Sequence, residues 1–306
     1  MIKQNKVVII GCGNVGMSYA YALLNQRTKV TELVLIDIDK ERVIGEVMDL
    51  NHCLAFSPSK IKIKVGDYKD CKDASIIVLS AGAKQKEGET RLDLLYKNDK
   101  IFAEIIKKVM ISGFNGIFLV ATNPVDIMTY LTYKHSNLKP SQVIGTGTAL
   151  DTIRLRYLIG DKLNINPKNV HAYVMGEHGD SEFVSWSNAY VGTRLMTEIL
   201  DISSLEEISN KVKNAAYEII KKKGATYYAI GMVLLRITNA ILDDENSILT
   251  VSTYNKKYDL FIGMPAVINS QGVESIIDIK LSESELKKFK QSIKIIKNEI
   301  KKLNVN

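Results

Sequence analysis

Short apolar runs, rich in valine, isoleucine and leucine, recur through the first half of the chain at residues 7–10, 33–36, 76–79 and 117–120, with a further strand pattern at 61–65. A strand buried on both faces has no polar side to display, so such runs predict the strands of a covered parallel sheet. Between them lie stretches with helical spacing at 14–25, 41–54 and 92–112. Strand alternating with helix predicts an α/β fold, a parallel sheet built from right-handed crossovers with helices on both faces. After about Gly145 the pattern changes to long helical segments at 148–163, 205–223 and 226–242, with strand-like pieces at 170–174, 247–252 and 260–262. The chain therefore divides into residues 1–145 and a mixed α+β domain at 146–306, with a ligand cleft expected between the two.

Composition narrows the class. With 306 residues, 46% hydrophobic and 25% charged, the chain is long enough to bury a sizeable core. The apolar run near the start, residues 7–10, is far short of the ~20 residues that cross a bilayer, and no signal-peptide pattern precedes it. Cys12, Cys53 and Cys71 are odd in number and lack CxxC spacing. That argues against a disulfide framework and a cysteine-built metal site, and the expected location is the reducing cytoplasm.

The net charge of +7 raises the question of nucleic acid. Eight lysines lie within residues 280–302, interleaved with Leu286, Phe289, Ile293, Ile296, Ile300 and Leu303 at three-four spacing. Ser282 and Glu285 form the pattern of a capping box. This reads as a packed C-terminal helix with a solvated lysine face in preference to a DNA-binding arm, and neither nucleic acid nor membrane is an expected partner.

Candidate chemistry begins at Gly11-Cys-Gly13-Asn14-Val15-Gly16, between the first strand and the first helix. Glycines there permit a tight turn and close approach of the backbone to a pyrophosphate, which the helix N-terminus attracts. Asp37, about twenty residues on at the end of the second strand, is placed to accept the ribose hydroxyls of NAD and to repel the extra phosphate of NADP. The first domain is thus expected to be a Rossmann-type NAD-binding unit.

Four further segments carry polar groups. His178 stands between glycines in Gly176-Glu-His-Gly-Asp-Ser181, where a substrate can approach and a group of near-neutral pKa can exchange a proton. Asp151 and Arg154 share one helix face; the spacing fits an exposed ion pair as well as a carboxylate orienting an imidazole beside a carboxylate-gripping guanidinium. Residues 81–91, including Gly82, Gln85 and Arg91, form either a solvated connector or a closing lid. Asn123, in Ala-Thr-Asn-Pro after the fifth strand, lies on the same sheet edge. His52 and His135 are read as ordinary packed or surface residues.

Taken together these segments resemble the lactate/malate dehydrogenase family over nearly the whole chain. The resemblance rests on the glycine turn with Asp37, Gly88-Glu-Thr-Arg91, Ala-Thr-Asn-Pro, Leu-Asp-Thr-Ile-Arg and Gly-Glu-His-Gly-Asp-Ser, in the family's order and spacing. It implies L-lactate dehydrogenase activity, a hydride transfer between NADH and pyruvate. By the resemblance His178 is proton donor and acceptor, Asp151 stabilises its imidazolium, Arg154 anchors the substrate carboxylate, and Arg91 polarises the keto oxygen when the loop closes. Asn123 helps position substrate and nicotinamide, while Thr226 and Ile230 line their pockets. Gly11, Gly13, Asn14, Val15, Gly16, Asp37 and Gly82 fall at cofactor-binding positions.

Within the family Gln85 marks preference for pyruvate, because malate dehydrogenases carry arginine there to pair the second carboxylate of oxaloacetate. Malate or another L-2-hydroxy acid is the alternative substrate. The short lead before Val7 resembles bacterial members. A homotetramer is implied, and Arg156 and His171 match positions through which fructose 1,6-bisphosphate activates some relatives, although unregulated ones carry both.

Overall fold

The computed structural model describes residues 5–83 and 91–303, with Arg91 and Leu92 as backbone only. Strands β1 (Lys6–Ile10), β2 (Glu32–Ile36), β3 (Lys62–Val65), β4 (Ile76–Leu79), β5 (Ile117–Val120) and β6 (Val143–Gly145) alternate with helices α1 (Asn14–Leu24), α2 (Lys40–Cys53), α3 (Arg91–Ile111) and α4 (Val125–Ser136). The six strands pair in parallel in the order β3-β2-β1-β4-β5-β6. β1, β4 and β5 are buried along their whole length, which is why they read as unbroken apolar runs. The order reverses between β1 and β4, the place where an open α/β sheet leaves a crevice beyond the carboxyl ends of its strands.

The second half begins with α5 (Ala149–Leu163) and a run of short strands, β7 (Val170–His171), β8 (Val174–Met175), β9 (Phe183–Val184), β10 (Tyr190–Val191) and β11 (Arg194–Leu195). The single strand expected at 170–174 is thus two separate pairs of residues. Helices α6 (Met196–Ile199), α7 (Ile202–Lys223) and α8 (Tyr228–Leu242) follow. The antiparallel strands β12 (Ser247–Asn255), β13 (Leu260–Asn269) and β14 (Gly272–Ile276) then join the edge of the parallel sheet through the pair Ser252 and Gly145, giving nine strands. The expected parallel sheet and mixed second half are both present, and one sheet runs through them.

The chain closes with α9 (Glu283–Lys302), capped by reciprocal Ser282 and Glu285 hydrogen bonds. Phe289, Ile293 and Ile296 are buried, whereas Lys287, Lys288, Lys290, Lys294 and Lys297 are exposed. Leu286, expected on the apolar face, is 40% exposed in the first turn of the helix. Among the described residues no helix is long and apolar enough to cross a membrane.

Candidate active site

Asp151 and Arg154 project from the first two turns of α5, three positions apart and therefore neighbours on one face. Arg154 donates to Asp151 Oδ1 at 2.8 Å, and the two side chains are only 11% and 2% exposed. This excludes the surface-pair reading. His178 sits in the loop between β8 and β9, its Nδ1 2.7 Å from Asp151 Oδ2.

Three anchors hold that loop. Gly176 exchanges both backbone hydrogen bonds with Gly263 of β13 at 3.0 Å. The His178 backbone N–H donates to Asp126 Oδ2 at 2.8 Å, and the Ser252 hydroxyl donates to the other oxygen of the same buried carboxylate. Burial pushes Asp126 up to about 6 despite these donors. Neither Asp126 nor Ser252 is assigned a role by sequence reasoning; Asp126 follows the Ala-Thr-Asn-Pro segment, but nothing in the sequence reveals that its carboxylate is enclosed.

Burial alone would lower the proton affinity of His178. The adjacent Asp151 carboxylate outweighs it by charge and by hydrogen bond, and the imidazole rises to about 9. Asp151, although buried, is held below the usual carboxylate range by His178 and Arg154. The site therefore favours a charged imidazolium next to a charged carboxylate, with one imidazole nitrogen, Nε2, left to meet a substrate. Nε and the second terminal nitrogen of Arg154 are buried and without a hydrogen-bond partner among the described residues. Orphaned guanidinium donors are costly to bury, and a carboxylate ligand would satisfy two in parallel.

The expected cofactor residues gather at the carboxyl ends of β1, β2, β4 and β5. Gly11 has φ +106°, and a Cβ there would lie 2.3 Å from the Ala81 backbone nitrogen, so only glycine fits between β1 and β4. A Cβ on Gly16 would lie 2.3 Å from the Gly11 carbonyl, whereas one on Gly13 would meet nothing within 4 Å. The turn is thus tight behind and open in front, where α1 begins without a side-chain cap and its N–H groups remain for a ligand. Asn14 is exposed and Val15 half-buried in this first turn. Asp37 accepts from the Cys12 N–H at 2.7 Å and from the Asp39 N–H, which fixes its carboxylate beside the glycine turn. These residues fit a dinucleotide.

Gly82 and Asn123 are exposed after β4 and β5, Thr226 is half-buried in the link between α7 and α8, and Ile230 is buried in α8. Gln85 lies outside the described residues. Arg91 opens α3, and its side chain lies outside them too. Arg156 donates to the carbonyls of Pro167 and Lys168, and His171, exposed on β7, follows the same turn. His135 pairs with Asp99 at 2.8 Å, away from the loop of His178. Asp151, His178 and Glu182 bring ligand-type atoms within 4.8 Å of one another, a spacing that would admit a metal ion, but a His–carboxylate hydrogen bond already occupies it. Glu182 is a further buried group absent from the sequence-based assignment; four residues after His178, it carries no sequence signal of its burial.

Residues 5–145 match the NAD binding domain model of lactate/malate dehydrogenase, and residues 148–305 match its alpha/beta C-terminal domain. The chain belongs to the lactate/malate dehydrogenase family. Among curated members of the family, it is 51% identical over 314 residues to an L-lactate dehydrogenase of Borrelia hermsii, covering 99% of each chain. It is also 51% identical over 303 residues to L-lactate dehydrogenase 2 of Bacillus cereus, covering 96% of each. Among solved structures, a lactate dehydrogenase from a Medee basin deep-sea metagenome library superposes with a TM-score of 0.96 at 52% identity, with 98% and 99% coverage. The minor L-lactate dehydrogenase of Enterococcus mundtii in its ligands-bound form gives 0.97 at 45% identity, covering 99% of this chain and 100% of that one.

Proposed function

We propose that this chain is an NAD-dependent L-lactate dehydrogenase that interconverts pyruvate and lactate. The observation that carries the reading is the His178 Nδ1–Asp151 bond of 2.7 Å beside an Arg154 whose Nε and second terminal nitrogen are buried without a hydrogen-bond partner among the described residues. That is a proton donor and a carboxylate anchor in one enclosed place, and the full-length relatives named above are L-lactate dehydrogenases.

Bound NADH supplies the hydride. Arg154 holds the substrate carboxylate through two parallel hydrogen bonds, and Asp151 keeps the His178 ring oriented with Nε2 outward. His178, carrying its proton, delivers it to the oxygen that becomes the lactate hydroxyl, and in the reverse direction takes it back. Arg91, brought in by the 81–91 segment, polarises that oxygen, a role worth roughly 3–4 kcal/mol for one well-placed donor. Asn123, Thr226 and Ile230 position substrate and nicotinamide. Gly11 to Gly16, Gly82 and Asp37 hold the dinucleotide, with Asp37 favouring NAD over NADP. On this reading residues 1–145 form the NAD-binding domain and 146–306 the substrate and catalytic domain, with Gln85, Arg91 and Asn123 contributed to the substrate site by the first.

Gln85 sets the preference for pyruvate, since a neutral amide leaves the second carboxylate of oxaloacetate desolvated and unpaired. We place the enzyme in the cytoplasm, in keeping with its three free cysteines, and as a homotetramer. Fructose 1,6-bisphosphate is the candidate effector at Arg156 and His171, tested by titrating it against the pyruvate saturation curve; no displacement removes it. The deciding experiment for the function is NADH oxidation by the purified protein with pyruvate and oxaloacetate in parallel. A higher kcat/KM for pyruvate supports the reading, and a higher one for oxaloacetate overturns the substrate assignment.

A further inference from the structure

Beside the His178–Asp151 pair lies Glu182. Its side chain is 6% exposed, and Oε2 is 4.0 Å from His178 Nδ1. One oxygen each of Glu182 and Asp151 and a ring nitrogen of His178 lie within 4.8 Å of one another. Asp151 Oδ1 accepts from Arg154 and Oδ2 from His178, so a buried carboxylate with about four acceptor positions still has lone pairs to satisfy. Two carboxylates this close in a desolvated site do not both ionise. Asp151 has the two cations at hydrogen-bond distance and keeps the charge. Glu182 faces that charge and keeps its proton.

We propose that Glu182 is a positioning residue of the reaction, a neutral carboxyl that donates to Asp151 and so sets the pH range over which His178 carries its proton. The inference rests on His178 being the acid and base of the proposed function. By drawing on Asp151's charge, the Glu182 hydroxyl weakens the carboxylate's hold on the imidazolium. Without this donor His178 would keep its proton to higher pH, too firmly to release it in the reductive direction.

The surrounding charges leave this assignment to the cluster itself. From α5 come Asp151 and Arg154, and from its own loop His178; the buried Asp126 of α4 acts on His178, and Glu177 acts on Asp126. Asp180, Lys213 of α7 and Lys288 of α9 line, together with Glu182 itself, a cavity of about 340 Å³. Burial and the nearby Asp151 charge both raise the proton affinity of Glu182, and the cations His178 and Arg154 only partly offset them.

The test is the pH dependence of kcat/KM for pyruvate reduction in wild type, Glu182→Gln and Glu182→Leu, since its inflection reports the free enzyme's acid. Leucine removes the donor, and the inflection moves up by about one pH unit; glutamine, whose amide also donates, stays near wild type. A downward move in either variant means that Glu182 works as an anion, and an unchanged inflection in the leucine variant means that it does not act on His178. Either result overturns the proposal. If the leucine variant does not fold, infrared spectra at about pH 8 decide, because there a protonated carboxyl band is present in wild type and missing from Glu182→Gln. Absence of the band from wild type overturns the proposal. A His178→Asn control separates the two readings: full activity in that variant would refute the role of His178, whereas loss of activity leaves the outcome to Glu182.

Discussion

The backbone N–H of His178 donates to the enclosed carboxylate of Asp126 at 2.8 Å, tying the loop of the imidazole to the first turn of α4, three residues after Asn123. Proton chemistry and ligand positioning thus share one support. Asp126 rises from 3.8 to about 6 on folding, so its protonated form is favoured in the native state. Its contribution to stability is full below about pH 4, falls as pH rises to about 6 and is flat above, a change of about 3 kcal/mol. Asp126→Asn does not ionise. The difference in unfolding free energy between wild type and variant should therefore move by that amount in the variant's favour between pH 4 and 6. Urea denaturation at several pH values measures it, and a constant difference would contradict the assignment.

Asp151→Asn removes the charge that raises His178 above its ordinary value. The imidazole then titrates lower, and the inflection of pyruvate reduction should fall by one to two pH units, with kcat/KM at neutral pH lower by on the order of 10²–10³. The pH profile of the variant checks this. An unmoved inflection would show that Asp151 acts only by packing.

The central strands were legible because a strand covered on both faces must be apolar throughout, as β1, β4 and β5 are. The same burial hid α4. Val125 through Thr132 are all enclosed, so the helix shows no alternation of wet and dry faces to betray it. β6, at three residues, is too short for periodicity to speak, and β14 is mostly exposed or half-buried, so it shows no apolar run. In the site, the spacing of Asp151 and Arg154 announced a shared face but not its enclosure, which depends on the loop of His178 folding back over α5. Asp126, Ser252 and Glu182 became visible only in three dimensions, because an isolated acid or hydroxyl in a sequence carries no mark of the polar atoms it will meet.

Arg154→Lys keeps a charge but loses the planar fork whose Nε and second terminal nitrogen have no hydrogen-bond partner among the described residues. The KM for pyruvate should rise by about 10²-fold or more, with a smaller loss in kcat, because the lost contact is to the carboxylate and not to the reacting carbonyl. Steady-state kinetics separate the two. A fall in kcat at constant KM would move Arg154 from anchoring to chemistry.

Asp37 both faces the expected ribose and accepts from the Cys12 N–H at 2.7 Å. Asp37→Ser should raise the KM for NADH, since the glycine turn loses a charged acceptor, and narrow the NADH to NADPH preference by on the order of 10-fold, since the repelling charge is gone. Paired assays with the two cofactors measure both effects. A preserved preference would place discrimination elsewhere in the crevice.

Gln85→Arg tests the substrate assignment most directly. Oxaloacetate differs from pyruvate by a second carboxylate that must leave water on entering the site. Beside a neutral amide that charge has no partner, and an unpaired buried charge costs about 3–5 kcal/mol, or on the order of 10²–10⁴ in relative kcat/KM. An arginine supplies the partner for oxaloacetate and, facing the methyl group of pyruvate, becomes the unpaired charge itself. Both effects push the same way, so the ratio of kcat/KM for oxaloacetate over pyruvate should rise by at least 10²-fold. The nicotinamide assay with each substrate reads the ratio directly. An unchanged ratio would mean that residue 85 does not meet the substrate, and that selection falls to the face lined by Thr226.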